Sequence, residues 1–230
     1  MNAHIPIVGD VKSVLREFTK EIEACPCDEW LKKVQAAKKE APLRGEPRTD
    51  FVEPRAFMRD LSAMMEDDAI LTADVGQNQI WAANNFNTKE GRFLTSGGMG
   101  TMGYALPAAI GAKLAKPKRQ VVAVCGDGSF QMSMCELATA NQNRVPLKLV
   151  VMRNKFLGMV KELQDNLYQG RHVATPLNGD PDIVKLVQAY GIKAVFAQNN
   201  EDAKKLAKEM LESKEAYVLV CDVDPNTPSI

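Results

Sequence analysis

This chain of 230 residues has no excess of either charge: 29 Lys and Arg balance 29 Asp and Glu. With a formal net charge of zero and no basic stripe, no global field favours nucleic acid or an anionic membrane. No run approaches the roughly 20 apolar residues needed to span a bilayer. The opening MNAHIPIVGD also lacks the basic-then-apolar layout of a secretion signal, so a cytoplasmic location is the expectation. Histidine is scarce: His4 and His172 are isolated and argue neither a catalytic nor a metal centre. The five cysteines, Cys25, Cys27, Cys125, Cys135 and Cys221, are odd in number and scattered. Cys25-Pro26-Cys27 is too tight for an ordinary disulfide, and no second pair or nearby His completes a zinc site. The other three lie in apolar strand or helix contexts and read as small hydrophobes. Internal repeats and low-complexity tracts are absent.

What is present suggests one large domain with an appendage. Residues 1–45 do not look like the start of a domain. His4-Ile5-Pro6-Ile7-Val8 reads as a short strand, and Val11, Val14, Leu15 and Phe18 recur at helical spacing. A second, charge-rich helix runs from Asp28 to Glu40, and Pro42, Gly45, Pro47 and Pro54 then break regularity. The segment reads as the tail of a preceding domain plus a linker; the alternative is a solvated helical decoration of the main domain.

Residues 46–230 alternate helices and short apolar strands. The strands expected are Ala69–Thr72, Arg92–Ser96, Val121–Cys125, Leu147–Met152, Ala194–Ala197 and Tyr217–Asp222. Between them lie helices over Arg55–Met65, Gln77–Asn85, Ala105–Leu114, Ser129–Asn141, Asp182–Tyr190 and Asn200–Glu212. Most strands are continuous apolar runs, as in a parallel sheet covered on both faces. The fold class is therefore α/β: doubly wound, with a mainly parallel six-stranded sheet and helices on both faces.

In such sheets ligands bind beyond the strand C-termini. Three Gly-bearing strand exits meet there: Gly76-Gln77-Asn78, the loop Gly97–Gly103, and Gly126-Asp127-Gly128-Ser129. The stretch from Val121 to Asn154 carries the chemistry. It reads as a strand, a Gly126–Gly128 turn, a helix, a second strand and a terminal Asn154, which brings Asp127 and Asn154 to one rim. Peptide N–H groups at a helix start attract phosphate. With a carboxylate and an amide oxygen alongside, they suit Mg²⁺, which takes few protein ligands and shares the rest with phosphates and water. The inference is a diphosphate held through a divalent cation. A dinucleotide site in the Gly97–Gly103 loop is the disfavoured alternative.

Residues 74–86 (DVGQNQIWAANNF), 96–112 (SGGMGTMGYALPAAIGA), 126–137 and 154–160 (NKFLGMV) resemble the C-terminal thiamine diphosphate (ThDP) domain of the acetolactate synthase (acetohydroxyacid synthase) large subunit. The resemblance runs from about residue 50 almost to the end, and His4–Phe18 resembles the last strand and helix of that family's central domain. It implies Mg²⁺ bound by Asp127, Asn154 and the carbonyl of Phe156. It places Gly76, Gln77, Asn78, Gly126, Gly128, Ser129, Leu157 and Gly158 at the diphosphate, Gly100 and Met102 at the aminopyrimidine, and Met159 beside the thiazolium and substrate. Read without the family, both methionines are core or gap-filling residues. The implied activity is decarboxylation of pyruvate and carboligation to a second 2-keto acid, a step of branched-chain amino acid biosynthesis.

Several positions depart from the family. Asn78 replaces the usual His. Leu163 stands where a substrate-facing Trp is usual, which puts the acceptor 2-keto acid in doubt and leaves glyoxylate carboligase or sulfoacetaldehyde acetyltransferase as alternatives. Arg153 replaces the first Asn of a pair and reads as a surface-facing substitution, with a diphosphate contact as the alternative. The glutamate on which such enzymes depend lies in an N-terminal domain with no counterpart here. The expectation is a fragment, or one half of a split enzyme, that is inactive without that domain and self-associates as a dimer. A non-catalytic ThDP-binding subunit is the alternative from another class. FAD, frequent in the family, would sit mostly in the central domain.

Overall fold

The computed structural model describes residues 3–40 and 50–230. The chain divides into two compact units, Met1–Leu43 and Arg44–Ile230.

The first unit contains α1 (Val11–Glu21) and α2 (Asp28–Glu40). Asp10 caps α1 by accepting from the Ser13 N–H at 2.9 Å, a bond that satisfies one of the donors orphaned at a helix start. The apolar stripe expected of α1 is present, yet no residue of the helix is buried. The strand expected at His4–Val8 does not form: among the described residues no strand pairs with it to supply the backbone partners that hold one. Pro42, Gly45 and Pro47 of the expected linker lie outside the described residues.

The second unit runs α3 (Pro54–Met64), β1 (Ile70–Ala73), α4 (Gln77–Asn85), β2 (Arg92–Thr95), α5 (Ala105–Ala115), β3 (Val121–Gly126), α6 (Asp127–Ser133), α7 (Glu136–Gln142), β4 (Lys148–Arg153), α8 (Gly158–Leu167), α9 (Ile183–Ala189), β5 (Lys193–Ala197), α10 (Asn200–Glu212) and β6 (Tyr217–Asp222). The sheet order is β2-β1-β3-β4-β6-β5 and every pairing is parallel.

Strand periodicity sorts the core. In β3, Val122 and Val124 pack with Leu61, Trp81 and Met210, whereas Val121, Ala123 and Cys125 pack with Leu106, Phe130 and Val187 on the other face. Each strand thus feeds two buried layers, which is why it reads as an unbroken apolar run. From β1 the chain moves outward to β2, and from β3 it moves the other way to β4. The reversal between β1 and β3 opens a crevice at their C-terminal ends.

Three expectations need correction. No turn separates β3 from its helix: Gly126 is the N-cap and Asp127 the first helical residue. The single helix expected from Ser129 to Asn141 is two, α6 and α7. They meet at Met134–Cys135, where Leu137 N bonds Met134 O and Ala138 N bonds Cys135 O in the tighter i→i+3 pattern. Helix α8 was not anticipated. Of the cysteines in apolar contexts, Cys125 and Cys221 are buried but Cys135 is exposed at that junction. Among the described residues no helix is long and apolar enough to cross a membrane.

Candidate functional site

Three strand exits build the site. At the end of β3, Asp127 is buried, and its Oδ1 accepts from Gly128 N at 3.0 Å and its Oδ2 from Lys155 N at 2.7 Å. The second bond ties the β3 exit to the β4 exit and holds Lys155 in the left-handed region at φ 63°, an uncommon conformation for a side chain with a Cβ. Next to it Asn154 is buried, its Oδ1 accepting from Phe156 N at 3.1 Å. The segment after Asn154 is clamped by Leu157 N to Thr175 O and Leu177 N to Lys155 O, both 2.9 Å. At the end of β1, buried Asp74 accepts from Gly103 N at 2.9 Å and Ala105 N at 2.7 Å. One carboxylate thereby fixes the Gly97–Gly103 loop to the start of α5. Asn78 donates Nδ2 to Asp74 O at 2.8 Å.

Close backbone approach explains two glycines. A β-carbon on Gly158 would fall 2.0 Å from Gln77 Oε1, and one on Gly128 would fall 2.5 Å from Leu157 Cδ2. Neither position can carry a side chain without displacing the residues that line the cleft. Gly76 has φ 146°, reached readily only by glycine.

The cleft between these exits is lined by Gly76, Gln77, Asn78, Met102, Gly126, Asp127, Gly128, Ser129, Asn154, Phe156, Leu157, Gly158 and Met159. Two site candidates from the sequence do not line it. Gly100 lies on the exposed loop, and Leu163 is half exposed on α8. Val75, Trp81, Met152 and Val160 also line the cleft and were not anticipated, and neither were the roles of Asp74 and Glu162. Asp74 was visible as the acid opening the DVGQ motif; nothing in the local pattern marks Glu162.

Arg153 is neither a bare surface residue nor a cleft residue. Its side chain is 16% exposed, pairs with both oxygens of Asp180 and with Asp222 at 2.7 Å, and lies 6.0 Å from the Phe196 ring. His172 stays out of the cleft as well, pairing with Asp165 at 2.6 Å. Gly98, Gly100 and Gly103 have G-x-G-x-x-G spacing. Their setting is not that of the dinucleotide fingerprint, where strand turns directly into helix: nine residues separate Thr95 of β2 from Ala105 of α5, and Gly98 and Gly100 are exposed.

The electrostatics single out Asp127. Burial pushes its carboxyl up to about 6, against the opposing pull of the Lys155 and Gly128 N–H groups and of the Arg153 charge. Burial also raises Asp74, opposed by the Ala105 and Gly103 N–H groups. Among the described residues Asp127 forms no ion pair, and no cluster of three or more His, Cys, Asp or Glu could hold a metal. A cation placed here would find one carboxylate, Asp127, and one amide oxygen, that of Asn154, and would take the rest from backbone, ligand and water. That donor set fits Mg²⁺ shared with a diphosphate.

Residues 74–221 match the protein family described as thiamine pyrophosphate enzyme, C-terminal TPP binding domain. Over 98% of its length the chain is 39% identical to a probable acetolactate synthase large subunit of Methanocaldococcus jannaschii, spanning 40% of that protein. It is 38% identical to the acetolactate synthase isozyme 3 large subunit of Escherichia coli K12, with 92% of the chain and 38% of that protein covered. The acetolactate synthase large subunit of Lactococcus lactis gives 37% identity over 94% of the chain and 40% of its own length. The chain thus spans about two fifths of the curated relatives it matches.

Proposed function

Because the chain belongs to the thiamine pyrophosphate enzymes, matching their C-terminal TPP-binding domain over residues 74–221, we propose that its cleft holds ThDP through a Mg²⁺ ion bound by Asp127, Asn154 and the Phe156 carbonyl. The observation that carries this reading is the buried, unpaired Asp127 carboxylate beside Asn154 at the crevice between parallel strands. A dication there compensates the desolvation that otherwise raises Asp127. The N–H groups opening α6 and α8, at Ser129 and Gly158, face the diphosphate, while Gln77 and Asn78 back the cleft with side-chain N–H groups already given to Glu162, the Thr227 carbonyl and the Asp74 carbonyl. Met102 and Met159 supply the apolar wall against the organic rings.

When bound, ThDP supplies covalent chemistry at a keto carbon, and the protein supplies position and electrostatics. In this chain Asp127 and Asn154 anchor the charged end and the Asp74-held loop sets the wall opposite. The whole enzyme acts as an acetolactate synthase type carboligase, decarboxylating pyruvate and joining the two-carbon unit to a second 2-keto acid. Residues 1–45 are the end of a preceding domain. An N-terminal domain, from the same enzyme or a separate subunit, completes the site, and FAD belongs to the whole enzyme. Exposed Met132, Val160, Leu163 and Leu167 support self-association as a dimer. Leu163 in place of an aromatic favours a second reading, a glyoxylate-type acceptor.

The test is calorimetric titration of the chain with ThDP with and without Mg²⁺, followed by assay with pyruvate, 2-ketobutyrate and glyoxylate after adding the N-terminal domain. Mg²⁺-dependent binding and no turnover by the chain alone are expected. Turnover of pyruvate by the chain alone would contradict the split arrangement.

A further inference from the structure

The side-chain amide of Asn154 serves a cation in one orientation only, because one end accepts hydrogen bonds, the other donates them, and the two are nearly alike in shape. What sets that orientation runs through Gln77 to groups outside the cleft. Asn154 Nδ2 donates to Gln77 Oε1 at 3.0 Å, and both side chains are buried. Gln77 Nε2 in turn donates to Glu162 Oε2 at 3.2 Å and to the Thr227 carbonyl at 3.0 Å. Both partners are acceptors with no hydrogen to give. Turning the Gln77 amide over would set its oxygen against two others where water is scarce, a costly arrangement. Glu162 is itself held by the N–H of buried Ser229 at 3.2 Å and by the Ser229 hydroxyl. Trp81 Nε1 fastens the same C-terminal segment through the Pro228 carbonyl at 2.9 Å. The contact is tight enough to need Gly158, whose β-carbon would lie 2.7 Å from Asn154 Nδ2.

We propose that Glu162, backed by residues 227–229, is a positioning residue that fixes the polarity of the Gln77–Asn154 amide pair and so keeps Asn154 Oδ1 turned toward the bound cation. The inference rests on the assignment of Asp127 and Asn154 as cation ligands. An acceptor at Glu162 demands an NH₂ from Gln77, which leaves an oxygen facing Asn154. That oxygen demands an NH₂ from Asn154, which leaves Oδ1 for the cation. With an apolar side chain at position 162 both amides can turn together and present NH₂ to the metal. The Thr227 carbonyl and the Phe156 N–H, 3.1 Å from Asn154 Oδ1, oppose this. The loss is therefore roughly tenfold in cation affinity, at the low end for groups that support metal ligands.

Mn²⁺ serves as the probe, its binding followed by electron paramagnetic resonance in the presence of ThDP, in the unaltered chain and in Glu162→Gln, Glu162→Met, Asn154→Asp and the Asn154→Asp/Glu162→Met double variant. Glu162→Gln, which can still offer an acceptor, should stay within about threefold of the unaltered chain, and Glu162→Met should lose about tenfold. A carboxylate in place of the Asn154 amide has no donor end, and Glu162 forces Gln77 Oε1 against it. In that background Glu162→Met frees Gln77 to donate instead, so affinity should hold or rise. The opposite response in the two backgrounds is the signature, since a packing role would cost the same in both. Equal losses in both backgrounds, or no loss from Glu162→Met alone, would overturn the relay while leaving the cation site standing. ThDP binding by the unaltered chain that is indifferent to Mn²⁺ would instead remove the cation site, and the relay with it.

Discussion

Two acidic groups at the same rim of the sheet are treated in opposite ways. Asp127, at the β3 exit, is buried, has no ion pair among the described residues, and is pushed up to about 6 by that burial. Around the ends of β4 and β6, Arg153 pairs with Asp180 and Asp222, and Lys155 pairs with Asp180 at 3.0 Å. Burial tends to raise Asp180, but the bonds from Lys155 and Arg153 outweigh it and hold the carboxyl below its ordinary value. A charge that the fold neutralises with its own cations is structural. A charge left desolvated beside a cleft is where the proposed cation would bind.

The sharpest way to break this contrast is to remove each charge in turn. Asp127→Asn should cost Mg²⁺-dependent ThDP binding more than about 100-fold, measured by calorimetry, because it deletes a metal ligand rather than a supporting group. The next effect is on stability. Between the unfolded carboxyl value of 3.8 and the folded value of about 6, the native Asp127 binds more protons than the unfolded chain does. Its contribution to stability therefore falls as pH rises through that window, by up to about 3 kcal/mol. Asp180, held below its ordinary value, slopes the other way, so the quantity to read is the difference in urea unfolding between the unaltered chain and Asp127→Asn across pH 4 to 7. Arg153→Ala should destabilise the fold by about 2 kcal/mol, less than the figure for fully buried pairs because its partners remain partly wet. Its ThDP affinity should stay within about threefold, since Arg153 does not line the cleft. The smallest change is expected of Asp180→Ala, about 1 kcal/mol, since Arg153 then keeps Asp222.

The same contrast shows what was legible in the sequence. β3 and β4 were legible because both their faces are buried, so each is an unbroken apolar run whose polar terminus, Asp127 or Asn154, stands out. Helix α8 was not, because it lies over the rim rather than on the sheet: Lys161 is its only buried residue, and Leu163 and Leu167 are exposed. Helical spacing read α1 correctly, but periodicity reports a face and not its partner, and that face is unburied. Arg153 was misread because its partners lie 27 and 69 residues away. The bond from Gln77 to the Thr227 carbonyl spans 150 residues, and no local pattern announces it. The polar residues at the strand ends were readable as strand exits; the apolar lining of Val75, Trp81, Met152 and Val160 and the hydrogen bonds that orient the site were not.

The central claim is that the cation belongs to the unpaired carboxylate and not to the paired ones. A crystal of the chain grown with ThDP and Mn²⁺ and recorded at the manganese absorption edge tests it directly. The account predicts one anomalous peak, about 2 Å from Asp127, Asn154 Oδ1 and the Phe156 carbonyl. A peak beside Asp180 and Asp222 instead, or ThDP bound in the cleft with no peak at Asp127, would contradict it.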